Sequence, residues 1–192
     1  DAVGGLVLNL RDVTERRHAE EALQRLADHD MLTDLPNRRV MMSRIAQALT
    51  CSLTRSQRLN ALLYLDLDDF KAINDRQGHE AGDRLLRTVA ERLRGWVRAV
   101  DTVARFGGDE FVILLADFES GREPATLQAQ RVGEKILAAL ARPTQADGWV
   151  HTASLGATLF GDRHEPVDDI VRRADGALYR AKGAGRNAMR LG

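Results

Sequence analysis

Two strand-like runs parted by a pair of glycines constrain this chain most. TVARF (102–106) and EFVILLAD (110–117) are rich in aliphatic, aromatic and β-branched residues, with Gly107, Gly108 and Asp109 between them. Glycine enters positive φ without steric cost, so the spacing predicts an antiparallel hairpin. A lone hairpin is marginal in water and needs further strands and a core. NALLYLDLDDF (60–70) reads as a buried strand ending in acidic residues, and WVHTASLGATLF (149–160) as another. Helical spacing places Leu85, Leu86, Val89, Leu93 and Trp96 or Val97 on one stripe, and Val167, Ile170, Val171, Ala174, Leu178 and Ala181 on a second. A further helix runs through LQAQRVGEKILAAL (127–140). The order β, α, β-hairpin, α, β, α predicts an α+β fold, a mainly antiparallel sheet with helices on one face.

Before this unit the signals change. VGGLVLNL (3–10) is strand-like but has no partner in the next fifty residues, so it reads as the cut end of something upstream. A helix capped by Thr14 follows, with Ala19, Leu23 and Leu26 on one stripe. A second helix is expected to begin near Pro36. At 192 residues, with 44% hydrophobic and 29% charged residues, the composition is that of a soluble domain. Twenty-eight basic residues balance twenty-eight acidic ones, so no net field draws nucleic acid or an anionic membrane. No apolar run is long enough to span a bilayer, and a cytoplasmic setting is the default expectation. The single cysteine, Cys51, excludes an internal disulfide framework, and the five histidines show no metal-ligand spacing.

The polar residues gather at strand ends. On a strand Tyr64, Asp66 and Asp68 share one face and Leu63, Leu65 and Leu67 the other. If this strand neighbours the hairpin, Asp66 and Asp109 converge on one point, and clustered carboxylates repel unless a cation lies between them. Oxygen ligands without histidine or thiolate favour Mg2+ or Mn2+, which usually also hold substrate phosphates. Taken singly, a strand ending in aspartates can simply mark where the chain meets water, and a Gly-Gly hairpin can be only a hairpin. Residues 66–86, DLDDFKAINDRQGHEAGDRLL, read as a polar loop between a core strand and a core helix. Lys71 suits a phosphate, Asn74 offers a donor and an acceptor, and Asp83 is expected in a first helical turn. An aspartate accepts from guanine N1 and N2 hydrogens but would face an acceptor on adenine, which points to a guanine nucleotide. Lys182 and Arg186 flank two glycines and suit a triphosphate, or simply a helix C-terminus.

DMLTDLPNRR (30–39), DLDDFKAINDRQGHEAGDRLL, RFGGDEF (105–111), SLGATLF (154–160) and ADGALYRAKGAGRN (174–187) together resemble the motifs of the GGDEF diguanylate cyclases, in order and near spacing. The resemblance covers Asp30 to Asn187. It implies a palm-like cyclase fold with surrounding helices, in which two subunits, each holding one GTP, join them into cyclic di-GMP and release two pyrophosphates. Asp66, Asp109, Glu110 and the Leu67 carbonyl match the family's magnesium ligands. Asp109, Glu110 and Lys71 match its catalytic residues. Phe70, Asn74, His79, Asp83, Gly107, Gly108, Lys182 and Arg186 match the substrate side. RAVD (98–101) looks like the family's RxxD inhibitory site, so Arg98 and Asp101 are expected to bind cyclic di-GMP as an inhibitor, although the two can also form a plain surface ion pair.

The N-terminal GLVLNLRDVTERRHAEEALQRL resembles the last strand and exit helix of a PAS sensor domain. The expected division is therefore 1–13 as sensor remnant, 14–30 as signalling linker and 31–192 as the cyclase domain. The alternative is a non-catalytic module binding GTP or cyclic di-GMP, attached to a phosphodiesterase domain.

Overall fold

The computed structural model describes residues 17, 23–56, 58–118, 121–143 and 150–192. The strand expected over residues 3–10, Thr14 and Ala19 lie outside them. Residues 23–28 are helical and leave Leu23 and Leu26 exposed. The first long helix, α1 (Arg38–Cys51), is capped by Asn37, whose side chain accepts from the Val40 amide at 3.2 Å. Pro36 stands before that cap rather than in the first turn. It bridges to His29, and its carbonyl accepts from the Arg105 amide at 3.0 Å.

A π-helical turn (Ser52–Ser56) follows α1, and the remaining elements are β1 (Leu59–Leu67), α2 (Phe70–Gln77), α3 (His79–Trp96), β2 (Thr102–Gly107), β3 (Glu110–Phe118), α4 (Arg122–Leu140), β4 (Ala153–Phe160), α5 (Val167–Gly183) and β5 (Met189–Leu191). The sheet order is β2-β3-β1-β4-β5, antiparallel throughout except where β5 runs parallel to β4. The hairpin forms as expected, with Gly107 at φ 137° and Gly108 at φ 52°. The fifth strand is an addition. It is three residues long, and only its pairing with β4 makes it a strand.

Helices cover both faces of the sheet, not one. Leu63, Leu65, Phe111, Ile113 and Leu155 pack beneath α3 and α4 through Leu85, Val89, Leu93 and Ile136. On the other face Leu62, Tyr64, Val112 and Leu114 meet Met41 and Ile45 of α1 and Ile170, Ala174 and Leu178 of α5. All nine residues of β1 are buried in consequence. Each fully buried aliphatic side chain contributes about 1.5–3 kcal/mol, so two filled layers are what hold this strand central. At the end of α3 Trp96 stays exposed, and the extended Val97 just after it packs against the core. Arg92 closes the C-terminal end of α4 with bonds to the carbonyls of Ala139, Leu140, Arg142 and Pro143 at 2.9–3.2 Å.

Three further expectations are corrected. The polar segment after β1 is not all loop: residues Phe70–Gln77 form α2, and its Phe70 and Ile73 turn towards the core. Because α3 already begins at His79, its first turn carries Glu80, and Asp83 falls just beyond it. The described part of the 149–160 strand begins only at Ala153. No helix among the described residues is long and apolar enough to cross a membrane.

Candidate active site

Strand pairing brings the acidic residues together. β1 pairs with β3 so that Asp66 stands opposite Glu110, and the Leu67 amide donates to the Asp109 carbonyl at 3.3 Å. Asp66, Leu67, Asp109 and Glu110 therefore occupy one end of adjacent strands. Burial first, and then the charges of Asp109 and Glu110, push the Asp66 carboxyl above its ordinary value, against a bond from Lys182. Lys182, near the end of α5, reaches Asp66 with Nζ 2.7 Å from Oδ2. Tyr64, two residues earlier on the same face, donates to Glu110 Oε2 at 3.2 Å. Burial, and then Glu110, raise the Tyr64 phenol well above its usual range, so it remains a donor.

The hairpin turn is held from outside. Arg105 donates from Nε and Nη2 to the Gly108 carbonyl at 3.1 and 2.7 Å, while Nη1 contacts both carboxylate oxygens of Asp30 at 2.9 and 3.0 Å. Asp30 also accepts from the amide and hydroxyl of Thr33. A side chain added at Gly107 or Gly108 would meet nothing within 4 Å. The two glycines thus serve backbone conformation, and the space where their side chains would stand is open.

On the other flank, exposed Lys71 is the second residue of α2, with Asn74 half-buried one turn on. A Cβ at Gly82 of α3 would lie 2.0 Å from Asn74 Oδ1 and 3.1 Å from Phe70 Cζ. Glycine at position 82 therefore lets the Asn74 side chain lie against α3, where any Cβ would displace it. His79 opens α3 in solvent, and Asp83 is half-buried one turn later. Arg186 follows α5 with a left-handed backbone, φ 64°, its Nε 3.9 Å from Asp69 Oδ1.

The donor set fits a hard divalent cation. Three carboxylates and a main-chain carbonyl supply only oxygen, and Asp66 carries an unfavourable charge environment that a cation relieves. Among the described residues no three acidic, histidine or cysteine side chains are grouped so as to hold an ion by themselves. Mg2+ is typically held by one or two carboxylates together with substrate phosphates.

Arg98 and Asp101 stand apart from this group, beside edge strand β2. Arg98 grips Asp101 through Nε at 3.1 Å and Nη2 at 2.9 Å, and donates to the Ala116 carbonyl at 2.8 Å. Asp101 raises the Arg98 pKa, and its carboxylate also takes the Ala116 amide at 3.1 Å. The pair lines a cleft of about 1130 Å³ with Arg44, Arg94, Val97 and Asp117.

Sequence reasoning missed several residues that shape the site. Asp68, on the same parity as Asp66, is buried, and a buried carboxylate signals a bonded role. Tyr64 shares that parity too, and Arg105 stands two residues before Gly107, within reach of the turn.

A family model described as "Diguanylate cyclase, GGDEF domain" matches residues 27–188. The chain is 43% identical over 176 residues to the bifunctional diguanylate cyclase/cyclic di-GMP phosphodiesterase MucR of Pseudomonas aeruginosa, covering 91% of this chain and 25% of MucR. It is 40% identical to diguanylate cyclase TpbB of the same species over 88% of this chain and 38% of TpbB. The chain thus spans well under half the length of these curated relatives. Among solved structures, the coiled coil and GGDEF domain of DgcB from Caulobacter crescentus, in complex with c-di-GMP, superimposes with a TM-score of 0.80 at 26% identity, covering 94% of this chain and 93% of that one.

Proposed function

We propose that this chain, which belongs to the diguanylate cyclase GGDEF-domain family, condenses two GTP into cyclic di-GMP with release of two pyrophosphates. One observation supports the reading: β1 pairs with β3 so that Asp66 stands opposite Glu110, feels the charges of Asp109 and Glu110, and holds Lys182. Asp66, Asp109, Glu110 and the Leu67 carbonyl would hold Mg2+ or Mn2+. When bound, the ion neutralises phosphate charge and lowers the barrier to oxygen attack.

The chain's own groups do the rest. The 3′-hydroxyl of one GTP attacks the α-phosphorus of the other. A new P–O bond forms, the bond to the bridging oxygen breaks, and pyrophosphate leaves. Asp109 accepts the hydroxyl proton, and Lys71 stabilises the charge that develops on the phosphate. Lys182 exchanges its carboxylate partner for the triphosphate and acts there with Arg186. Phe70, Asn74, His79 and Asp83 face the guanine side, and Gly107 and Gly108 leave room for the phosphates.

The α-phosphate of each nucleotide must meet a hydroxyl from another, so two subunits facing each other complete the reaction. Cyclic di-GMP is proposed to inhibit through Arg98 and Asp101 in the cleft beside β2. Residues 1–13 are read as the tail of a PAS-type sensor and 14–30 as the linker that sets how two cyclase domains face, in a cytoplasmic protein.

The test incubates the protein with GTP and Mg2+ and separates the products. Cyclic di-GMP and pyrophosphate should accumulate in a one-to-two ratio, and Asp109→Ala should abolish both while keeping its melting temperature. GTP binding without any product would assign the chain to non-catalytic regulatory modules instead.

A further inference from the structure

We propose that Asp68, a buried carboxylate outside the metal-binding set, is a positioning residue that aims Arg186 at the triphosphate. The proposal rests on the reading of Arg186 as a phosphate contact. Asp68 follows β1 directly and is 7% exposed. Its Oδ1 accepts from Ser154 Oγ at 2.7 Å, and its Oδ2 from Thr152 Oγ1 at 2.7 Å and from the Asn187 amide at 3.0 Å. Its own amide donates to the Thr152 carbonyl at 2.9 Å. One side chain therefore joins the end of β1, the start of β4 and the segment after α5.

The third of those bonds bears on the site. Arg186 and Asn187 both hold left-handed backbones, φ 64° and 43°, which residues with a Cβ rarely adopt unless their surroundings enforce it. Two bonds flank the strained pair: the Arg186 amide donates to the Ala181 carbonyl at 3.3 Å, and the Ala188 carbonyl accepts from the Leu155 amide at 2.9 Å. Between them, the Asn187 amide has the Asp68 carboxylate. A charge-assisted acceptor in that place favours the left-handed turn and so fixes where the Arg186 side chain leaves the backbone.

The three acids at the end of β1 divide the segment among them. Asp66 takes Lys182, Asp68 takes the Asn187 amide, and Asp69, itself left-handed at φ 55°, faces Arg186 from solvent. Asp68 touches no expected ligand atom. It acts through the backbone of its neighbour.

The experiment measures affinity for a GTP whose α and β phosphorus atoms are bridged by methylene, with Mg2+, by calorimetry. Asp68→Ala should weaken binding about tenfold, the scale of one misplaced charge-assisted contact. Asp68→Asn keeps an acceptor for the Asn187 amide and should restore affinity to within about threefold. Adding Arg186→Ala to Asp68→Ala should cost no more than the larger single effect, because both remove the same contact. If Asp68→Ala does not fold, Asp68→Ser stands in, being too short to reach Asn187. An unchanged affinity in Asp68→Ala, or effects that multiply in the double variant, overturns the positioning role. An Arg186→Ala variant that binds normally overturns the phosphate reading itself, and with it this proposal.

Discussion

Replacing Gly156 by alanine should force α5 off the sheet, and the size of the effect follows from the packing. Gly156 lies in β4 on the face shared with Tyr64, its partner across β1. A Cβ there would sit 2.1 Å from the Leu178 amide nitrogen, 2.2 Å from the Ala174 carbonyl oxygen and 2.8 Å from the Ala177 carbonyl carbon, all main-chain atoms of α5. Ordinary contacts need about 3.5 Å, so the helix must retreat by about 1 Å or more. No rotamer change can relieve main-chain atoms, which places the cost at the upper end of overpacking, about 3 kcal/mol. In a domain of this size that lowers Tm by about 6–12 °C. The same retreat draws Lys182 away from Asp66.

Gly176 supplies the control, because it lies in the interior of α5, where an added Cβ meets only Arg180 Nη1 at 3.9 Å. Gly176→Ala should stabilise the helix by about 0.5–1 kcal/mol and raise Tm by about 1–4 °C. Differential scanning calorimetry of both variants at one pH reads the result. A Gly156→Ala protein melting within about 2 °C of the unsubstituted chain would refute the close-approach argument.

Gly82→Ala should leave Tm unchanged or raised, since alanine favours the helix, yet weaken GTP binding about tenfold by displacing Asn74; equal affinity would remove Asn74 from the guanine side. Asp30 sets an acid limit. Burial alone would raise its carboxyl, but the bonds from Thr33 and Arg105 outweigh burial and hold it below its ordinary 3.8. A depressed folded value gives stability that is complete above the ordinary value and lost as pH falls through the folded one. Asp30→Asn should therefore melt lower at pH 7 and decline less steeply below about pH 4; parallel curves would contradict this. Arg98→Ala should weaken inhibition by cyclic di-GMP about tenfold or more while initial rates without product stay level, and an unchanged inhibition curve would leave Arg98 and Asp101 as a surface ion pair.

What could be read in the sequence was what local pattern encodes. The hairpin, the β1 run and the α3 stripe each announce themselves within a dozen residues, and strand parity alone puts Asp66 beside the glycine turn once β1 and β3 are neighbours. The rest depends on contacts distant in sequence. Met189–Leu191 becomes a strand only because β4 is there to pair with it. α2 turns only the partly buried Phe70 and Ile73 against the core, too little to mark a helix inside so polar a segment. The one-faced sheet was a misreading of available information: apolar residues at both parities of β1 already imply cover on two sides. Asp68 and Arg105 were illegible for another reason. Besides its side-chain partners, each bonds a main-chain group, Asp68 the Asn187 amide and Arg105 the Gly108 carbonyl, and no residue type reports where a main-chain group will be.

The burial of all nine β1 residues raises a difficulty that its polar ends resolve. A strand apolar on one face cannot slip by a residue without exposing its core set. β1 is apolar on both, so a slip exchanges one apolar set for another, and hydrophobicity alone scarcely opposes it. Asn60 marks one end, donating to Ser52 Oγ at 2.8 Å and accepting from the Asp117 amide at 3.1 Å. Asp66 and Asp68 mark the other, against Lys182 and the Asn187 amide. These groups index the strand as a ruler is read from its printed marks, so a chain that pairs β1 one residue out of step would stay compact and lose its site in the same event.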